Sequence, residues 1–346
     1  MKIAHQHIGL NHKPFIIAEM SGNHNQSIDQ ALKIIEVAAS CGADAVKLQT
    51  YTADTLTINH CGGLFDIKDE TSLWENRNLY ELYQEAYTPW EWHEQLFKCA
   101  ADNKVICFST PFDETAVDFL DNLNTPAHKI ASFENNHYPL LKKIAKTGKP
   151  VIMSTGLSSL ANLAESVEVL RQNGCKELVL LKCTSNYPAN PLNSNVNTIP
   201  HLRSLFNCEI GLSDHTMGIG VPCAAVTLGA TVVEKHFCLD RSEGGVDSAF
   251  SLEPAELKRL VIETERAWQS LGIVQYGVQE SEQKSLTFKR SIYVTEDIIA
   301  GSFFTEKNIR VIRPGDGLHP KYYEGLLGRV SKVNIKRGTP LNWELI

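Results

Sequence analysis

Residues 209–237 read EIGLSDHTMGIGVPCAAVTLGATVVEKHF. Two short apolar runs within them, 209–213 and 231–234, have the length of buried strands, and 218–228 between them has the composition of one helix. A strand-helix-strand unit sets its strands parallel, so both C-terminal ends lie on one rim of the sheet. Each run leads into a histidine, His215 after the first and His236 at the end of the second. Neighbouring strands lie about 5 Å apart, so two imidazoles delivered to that rim are within reach of one divalent cation. Two loop histidines satisfied by hydrogen bonds are the competing reading of this stretch alone.

The same alternation extends to both sides. Strand patterns occur at 15–20, 45–50, 105–110, 127–132, 151–155, 178–183, 209–214 and 231–236. Helical patterns fall at 28–41, 89–102, 115–122, 139–146, 160–172, 218–228 and 253–271. Eight strands with intervening helices predict an α/β fold of the (β/α)8 TIM-barrel type. A doubly wound open sheet is the competitor, and no G-x-G-x-x-G is present to support it. A small hairpin is expected in 3–13, turning at Gly9-Leu10-Asn11 and plugging the far end of the barrel. The long polar segment 52–77 has the character of a rim loop that walls a substrate site. The reading divides the chain into a barrel with its hairpin at 1–278, a charged linker at 279–289 and a small Gly- and Pro-rich domain at 290–346.

Composition narrows the function. The chain has 346 residues, 43% of them hydrophobic, and a net charge of -7 without a basic run, which argues against nucleic-acid binding. No apolar run reaches membrane-spanning length and the N-terminus does not read as a signal peptide. Nine cysteines without a C-x-x-C pair suit small buried thiols in a reducing compartment, so a cytoplasmic location is expected.

In a barrel of this type chemistry gathers where strands end. The polar residues there are Glu19, Asn23, Lys47, Gln49, Thr110, Lys129, Ser132, Glu134, Ser154, Ser185, Tyr187, Ser213, His215 and His236. Two lysines with a ring of hydroxyls are equipment for phosphate and carboxylate together. Glu19, Glu134 and Asp247, the last in Gly244-Gly245-Val246-Asp247, are the acid/base candidates. Two histidines are too few for a catalytic zinc site. They suit a labile Mn²⁺ or Mg²⁺ completed by water and substrate. For any single serine, and for Asp247, a capping role is the plain alternative.

Ile17-Ala18-Glu19, Lys129-Ile130-Ala131-Ser132, Ser154-Thr155-Gly156, Gly211-Leu212-Ser213-Asp214-His215 and Glu234-Lys235-His236-Phe237 together resemble the sialic acid synthase family over essentially the whole chain. The tail from Arg290 is similar to the antifreeze-like (SAF) domain of that family. Ala18-Glu19-Met20-Ser21-Gly22-Asn23-His24-Asn25 and Ser132-Phe133-Glu134-Asn135 are closest to its pseudaminic-acid-forming members. The resemblance implies condensation of phosphoenolpyruvate with an open-chain N-acetylated amino sugar, 2,4-diacetamido-2,4,6-trideoxy-L-altrose in those members. It implies that Lys47, Thr110, Lys129, Ser132, Ser154, Ser185 and Ser213 hold phosphoenolpyruvate, and that His215 and His236 hold Mn²⁺, Mg²⁺ or Co²⁺, with no organic cofactor. Glu134 would position or deprotonate the attacking water. Glu19, Asn23, Gln49, Tyr187, Asp247 and Arg313 would bind the sugar, Arg313 from the other subunit of a homodimer whose tail lies over the partner's active site. Two departures stand out: Ser185 replaces an Asn, and Phe133 replaces a smaller residue, which suggests an apolar wall suited to a methyl group. A legionaminate or N-acetylneuraminate synthase, an aldolase or synthase acting on a sugar phosphate, and a non-enzymatic carbohydrate-binding protein are the rivals.

Overall fold

Eight parallel strands close on themselves: β1 Phe15–Glu19, β2 Ala45–Thr50, β3 Ile106–Pro111, β4 His128–Ile130, β5 Val151–Ser154, β6 Leu178–Cys183, β7 Glu209–Asp214 and β8 Val232–His236. The computed structural model describes residues 1–68 and 73–346, so part of the expected rim loop, 69–72, lies outside the described residues. β8 completes the ring against β1, with Val232 opposite Phe15 and His236 opposite Glu19. The expected (β/α)8 barrel is therefore present.

Alternation along the strands sorts side chains between two environments. Phe15, Ile17, Phe108, Ile152, Leu181 and Val232 fill the barrel interior with Ile3 and Ile8 from the N-terminal hairpin. Ile16, Val46, Leu48 and Val233 pack outward on helices such as Ile28–Ser40 and Pro254–Gln269. One layer further up, the inward positions are Glu19, Lys47, Ser213 and Glu234, and the strand register sets Glu19 beside Lys47 and Glu234 beside Ser213. The apolar filling stops one layer short of the rim, and charge takes its place.

Local differences from the sequence reading have physical causes. The hairpin pairs Lys2–Ile3 with Gln6–His7 and turns at Ala4 and His5, not at 9–11. Ala4 adopts a left-handed φ of 49°, which no residue preference announces. A helix at Thr198–Phe206 follows β6 where none was expected. Its Pro200 sits in the first turn, where a missing N–H breaks no intrahelical bond. β4 stops at Ile130 because Ser132–Glu134 forms a 3₁₀ turn, which carries Ser132 and Glu134 at the rim.

The chain divides into two compact units, Met1–Gly272 and Ile273–Ile346. Within the second, Ser291–Val294 and Ile309–Ile312 pair antiparallel over a small core that includes Ile292, Phe304, Ile309 and Leu341. The segment expected to link the domains forms a 3₁₀ run, Glu280–Phe288. No described helix is long and apolar enough to cross a membrane.

Candidate active site

At the C-terminal ends of the strands a cavity of about 310 Å³ opens, its charged floor built by Glu19, Lys47, Lys129 and Glu234. Lys47 Nζ lies 2.8 Å from Glu19 Oε2 and 3.7 Å from Glu234 Oε1, and donates to Thr110 Oγ1 at 3.2 Å. Lys129 Nζ donates to Ser154 Oγ at 2.7 Å and lies 3.6 Å from the same Glu234 oxygen, which also accepts from Ser213 Oγ at 3.1 Å. One carboxylate thus serves two buried ammoniums. Burial opposes charge on Glu234, but Lys129 and Lys47 outweigh it and hold its carboxyl below the usual range. Burial likewise opposes charge on Lys47, and Glu19 and Glu234 reverse the balance and raise it. For Lys129 burial wins and its ammonium is depressed.

Beside Lys129 lies a cradle of small groups. Gly156 N–H donates to Ser132 Oγ at 3.2 Å, and Asn135 Nδ2 holds the Gly156 carbonyl at 3.0 Å. A methyl group at Gly156 would sit 2.6 Å from Ser132 Oγ and press on Ser185 Oγ. Glycine is required there because two hydroxyls converge on its backbone. Ser185, with a shorter side chain than the family's Asn, still belongs to this cluster.

The two imidazoles meet. His215 and His236 have ring centroids 5.3 Å apart at 60°. His215 Nδ1 lies 3.0 Å from the Thr184 carbonyl, which can only accept, so Nδ1 carries the proton; burial opposes charge on this ring, but the Cys183 thiol and the Thr184 carbonyl outweigh it and raise the imidazole. His236 Nδ1 is buried without a hydrogen-bond partner and lies 3.7 Å from Asp247 Oδ2. Burial, with His215 next to it, holds His236 well below the ordinary imidazole range. A neutral imidazole with an unused nitrogen is what a cation needs. No group of three or more His, Cys, Asp or Glu suited to a metal occurs among the described residues, so non-protein ligands would complete the shell.

The turn bearing His215 is clamped from behind. Lys235 Nζ donates to Asp214 Oδ2 at 2.8 Å and to the carbonyls of Thr216 and Gly218, the latter at 3.1 Å, while Asp214 accepts from Thr216 N and Oγ1. Replacing Lys235 with Met leaves Asp214 buried and uncompensated, and is expected to cost roughly 3–5 kcal/mol. Urea unfolding measures this; a loss near zero would mean the clamp contributes nothing to stability.

Acid/base candidates occupy different environments. Glu134 has an enclosed Oε2 without a hydrogen-bond partner, and burial, opposed by Lys129, pushes its carboxyl up to about 7. Asp247 accepts from Ser21 Oγ, and Gln49 Nε2 donates to Glu19 Oε1 at 2.8 Å and to Ser21 at 3.1 Å, so one chain of polar contacts joins Glu19 to Asp247. Tyr187 lines the cavity with its ring 4.5 Å from His215. Asn23 does not line the cavity: its Nδ2 donates to the Phe237 carbonyl at 3.0 Å and to Ser251 Oγ at 2.9 Å, and its Oδ1 is buried without a hydrogen-bond partner. Arg313 is exposed in the second unit.

Sequence reasoning overlooked Glu234, although it stands two residues before His236 on one strand and must share its face. Cys183, read as a small hydrophobe, lines the cavity. Burial raises its thiol, but His215, Ser132 and Ser185 outweigh that and bring it down to about 7. An apolar wall was expected at Phe133; the larger apolar side made by Tyr51, Phe112 and the helix Leu79–Ala86 was not.

The chain has relatives among known proteins. Residues 34–276 match the NeuB family, and residues 289–346 match the SAF domain. The chain is 45% identical over 329 residues to the pseudaminic acid synthase of Campylobacter jejuni, covering 95% of each chain. It is 40% identical over 330 residues to the pseudaminic acid synthase of Helicobacter pylori, covering 95% of this chain and 96% of that one. Among solved structures, the N-acetylneuraminic acid synthetase of Leptospira borgpetersenii superposes with a TM-score of 0.73 at 32% identity, over 83% of this chain and 94% of that one. With a family match over most of its barrel, a SAF match behind it and relatives at 40–45% identity over nearly their whole length, the chain belongs to the NeuB family.

Proposed function

We propose that the chain is a pseudaminic acid synthase, condensing phosphoenolpyruvate with 2,4-diacetamido-2,4,6-trideoxy-L-altrose and releasing phosphate. The observation that carries this is the pairing of buried Lys47 and Lys129 through Glu234, next to the Ser132–Ser154–Gly156 cradle. Two ammoniums held by shared carboxylates in a water-poor site are prepositioned for a ligand bearing both carboxylate and phosphate. Lys129, Ser132, Ser154 and Ser185 take the phosphate. Lys47, with Thr110, takes the carboxylate.

Bond formation follows from this placement. The enol carbon of phosphoenolpyruvate attacks the sugar aldehyde, and positive charge develops on the carbon that bears the phosphate. Glu19 and Glu234, fixed beside Lys47, stabilise that charge. Glu134 takes a proton from the water that adds there, and phosphate leaves by carbon–oxygen cleavage. Glu19, Gln49, Ser21 and Asp247 form the hydroxyl-binding edge for the sugar. His215 and His236 would hold a divalent ion, which when bound supplies Lewis-acid polarisation of the aldehyde oxygen. Incubation with phosphoenolpyruvate and the acceptor tests the reading: phosphate and a keto acid must appear in equal amounts, and turnover of pyruvate instead would refute it.

The metal assignment makes its own prediction. Chelation is expected to remove activity and Mn²⁺ to restore it. His215→Ala is expected to lower Mn²⁺ affinity at least tenfold by calorimetry, independent of turnover. Unchanged binding would remove the imidazole pair from the account. A homodimer in which Arg313 of one copy serves the acceptor bound to the other is the remaining part of the proposal. Deleting 285–346 is then expected to abolish turnover.

A further inference from the structure

The cavity has two chemically different sides. Opposite the charged floor, the helix Leu79–Ala86 presents Leu79, Leu82, Tyr83 and Ala86, spaced i, i+3, i+4 and i+7, and all four line the cavity. That spacing is a single stripe on one helix face. Such a stripe ordinarily packs into a core; here it borders open volume. The helix is anchored at both ends: its Asn78 cap accepts from Tyr80 N at 3.0 Å, and its last turn abuts Gly22, where a methyl group would lie 3.2 Å from the Ala86 backbone. Tyr51 joins the stripe, its ring 6.0 Å from Tyr83 and 5.1 Å from Phe112. Phosphoenolpyruvate, whose carboxylate and phosphate share one carbon, offers such a surface only its small methylene, the carbon that must face the acceptor aldehyde.

We propose that this stripe is the specificity wall for the acceptor's methyl-terminated C6 end, and that it selects a 6-deoxy sugar over its 6-hydroxy counterpart. The inference rests on the condensation proposed above and adds which residues choose the substrate. A hydroxyl placed against Leu79, Leu82, Ala86 and Phe112 would lose its water and find no acceptor there; the phenol oxygens of Tyr51 and Tyr83 are the polar side-chain atoms of the wall, and the selection is assigned to its aliphatic part. An apolar pocket rejects an isostere that adds only a hydroxyl by about 10²-fold. Phe133, the residue expected to supply the apolar wall, lines the cavity but is 60% exposed and is a lesser part of it.

The test is a matched pair of acceptors, 2,4-diacetamido-2,4,6-trideoxy-L-altrose and the same sugar with a hydroxyl at C6, each with phosphoenolpyruvate and Mn²⁺. Wild type is expected to favour the deoxy sugar by about 100-fold in kcat/KM. Leu82→Asn and, separately, Leu79→Asn are expected to shrink that ratio to below about tenfold. A ratio measured within one enzyme is insensitive to the fraction folded, and Leu82→Ala serves where Leu82→Asn does not fold, with an expected loss of a smaller part of the preference. Equal use of both sugars by wild type would overturn the wall while leaving the condensation intact. A strong preference untouched by all three variants would place the selection elsewhere and also overturn it. Absence of phosphate release with either sugar would remove the condensation itself, and the wall with it.

Discussion

Replacing Glu134 with glutamine is expected to lower kcat by about 10²- to 10⁴-fold, the usual contribution of a positioned general base, with little change in the KM for phosphoenolpyruvate. Shape and polarity survive this change; only the ability to take a proton is lost. Burial, opposed by Lys129, sets the Glu134 carboxyl at about 7. A base works in its ionised form, so kcat/KM for wild type should fall as pH drops through about 7 and level off above it. That limb should vanish in Glu134→Gln. A variant that keeps both the rate and the limb would assign the proton transfer to another group.

The second large effect concerns Lys129. Its ammonium is fully buried, 3.6 Å from Glu234 and hydrogen-bonded to Ser154. Lys129→Met is expected to destabilise the barrel by roughly 3 kcal/mol, the low end for a broken buried pair, because Lys47 still partners Glu234. Catalysis should fall by about 10²- to 10³-fold as the phosphate loses a cation. Adding Glu234→Gln to the same chain removes the carboxylate that has lost one of its two cations and should recover most of the stability, while activity stays low. Urea unfolding and steady-state kinetics on the three variants separate the two roles. Recovery of activity with stability would mean that Lys129 only holds the fold.

How far the sequence exposed this site depended on the range of the interactions involved. Strand periodicity and the rule that strand ends carry chemistry led to Lys47, Lys129, His215 and His236, because those arguments need only local pattern and topology. Glu234 was equally accessible by face-sharing with His236. The pairing of Lys47 with Glu19 was not, since it depends on the register of two strands 28 residues apart at Glu19↔Lys47. Asn23 sits in a motif with acidic and histidine neighbours, and only the structure reveals that its amide nitrogen is spent on Phe237 and Ser251. The helix Leu79–Ala86 escaped because it follows a polar rim segment and its apolar stripe faces the cavity instead of a core. Phe133 drew attention as a substitution, yet a tight 3₁₀ turn leaves most of its ring outside.

All of these inferences converge on carbon–carbon bond formation at a phosphorylated enol held between Lys47, Lys129 and the serine cradle. Phosphoenolpyruvate labelled with ¹⁸O in the oxygen bridging carbon and phosphorus interrogates that step directly when it is turned over with the diacetamido sugar. Carbon–oxygen cleavage after water addition sends the label into inorganic phosphate, and mass spectrometry of the phosphate should find it there. Label retained in the keto group of the acid product would mean that phosphorus–oxygen cleavage occurs, and the chemistry assigned to this cavity would be wrong.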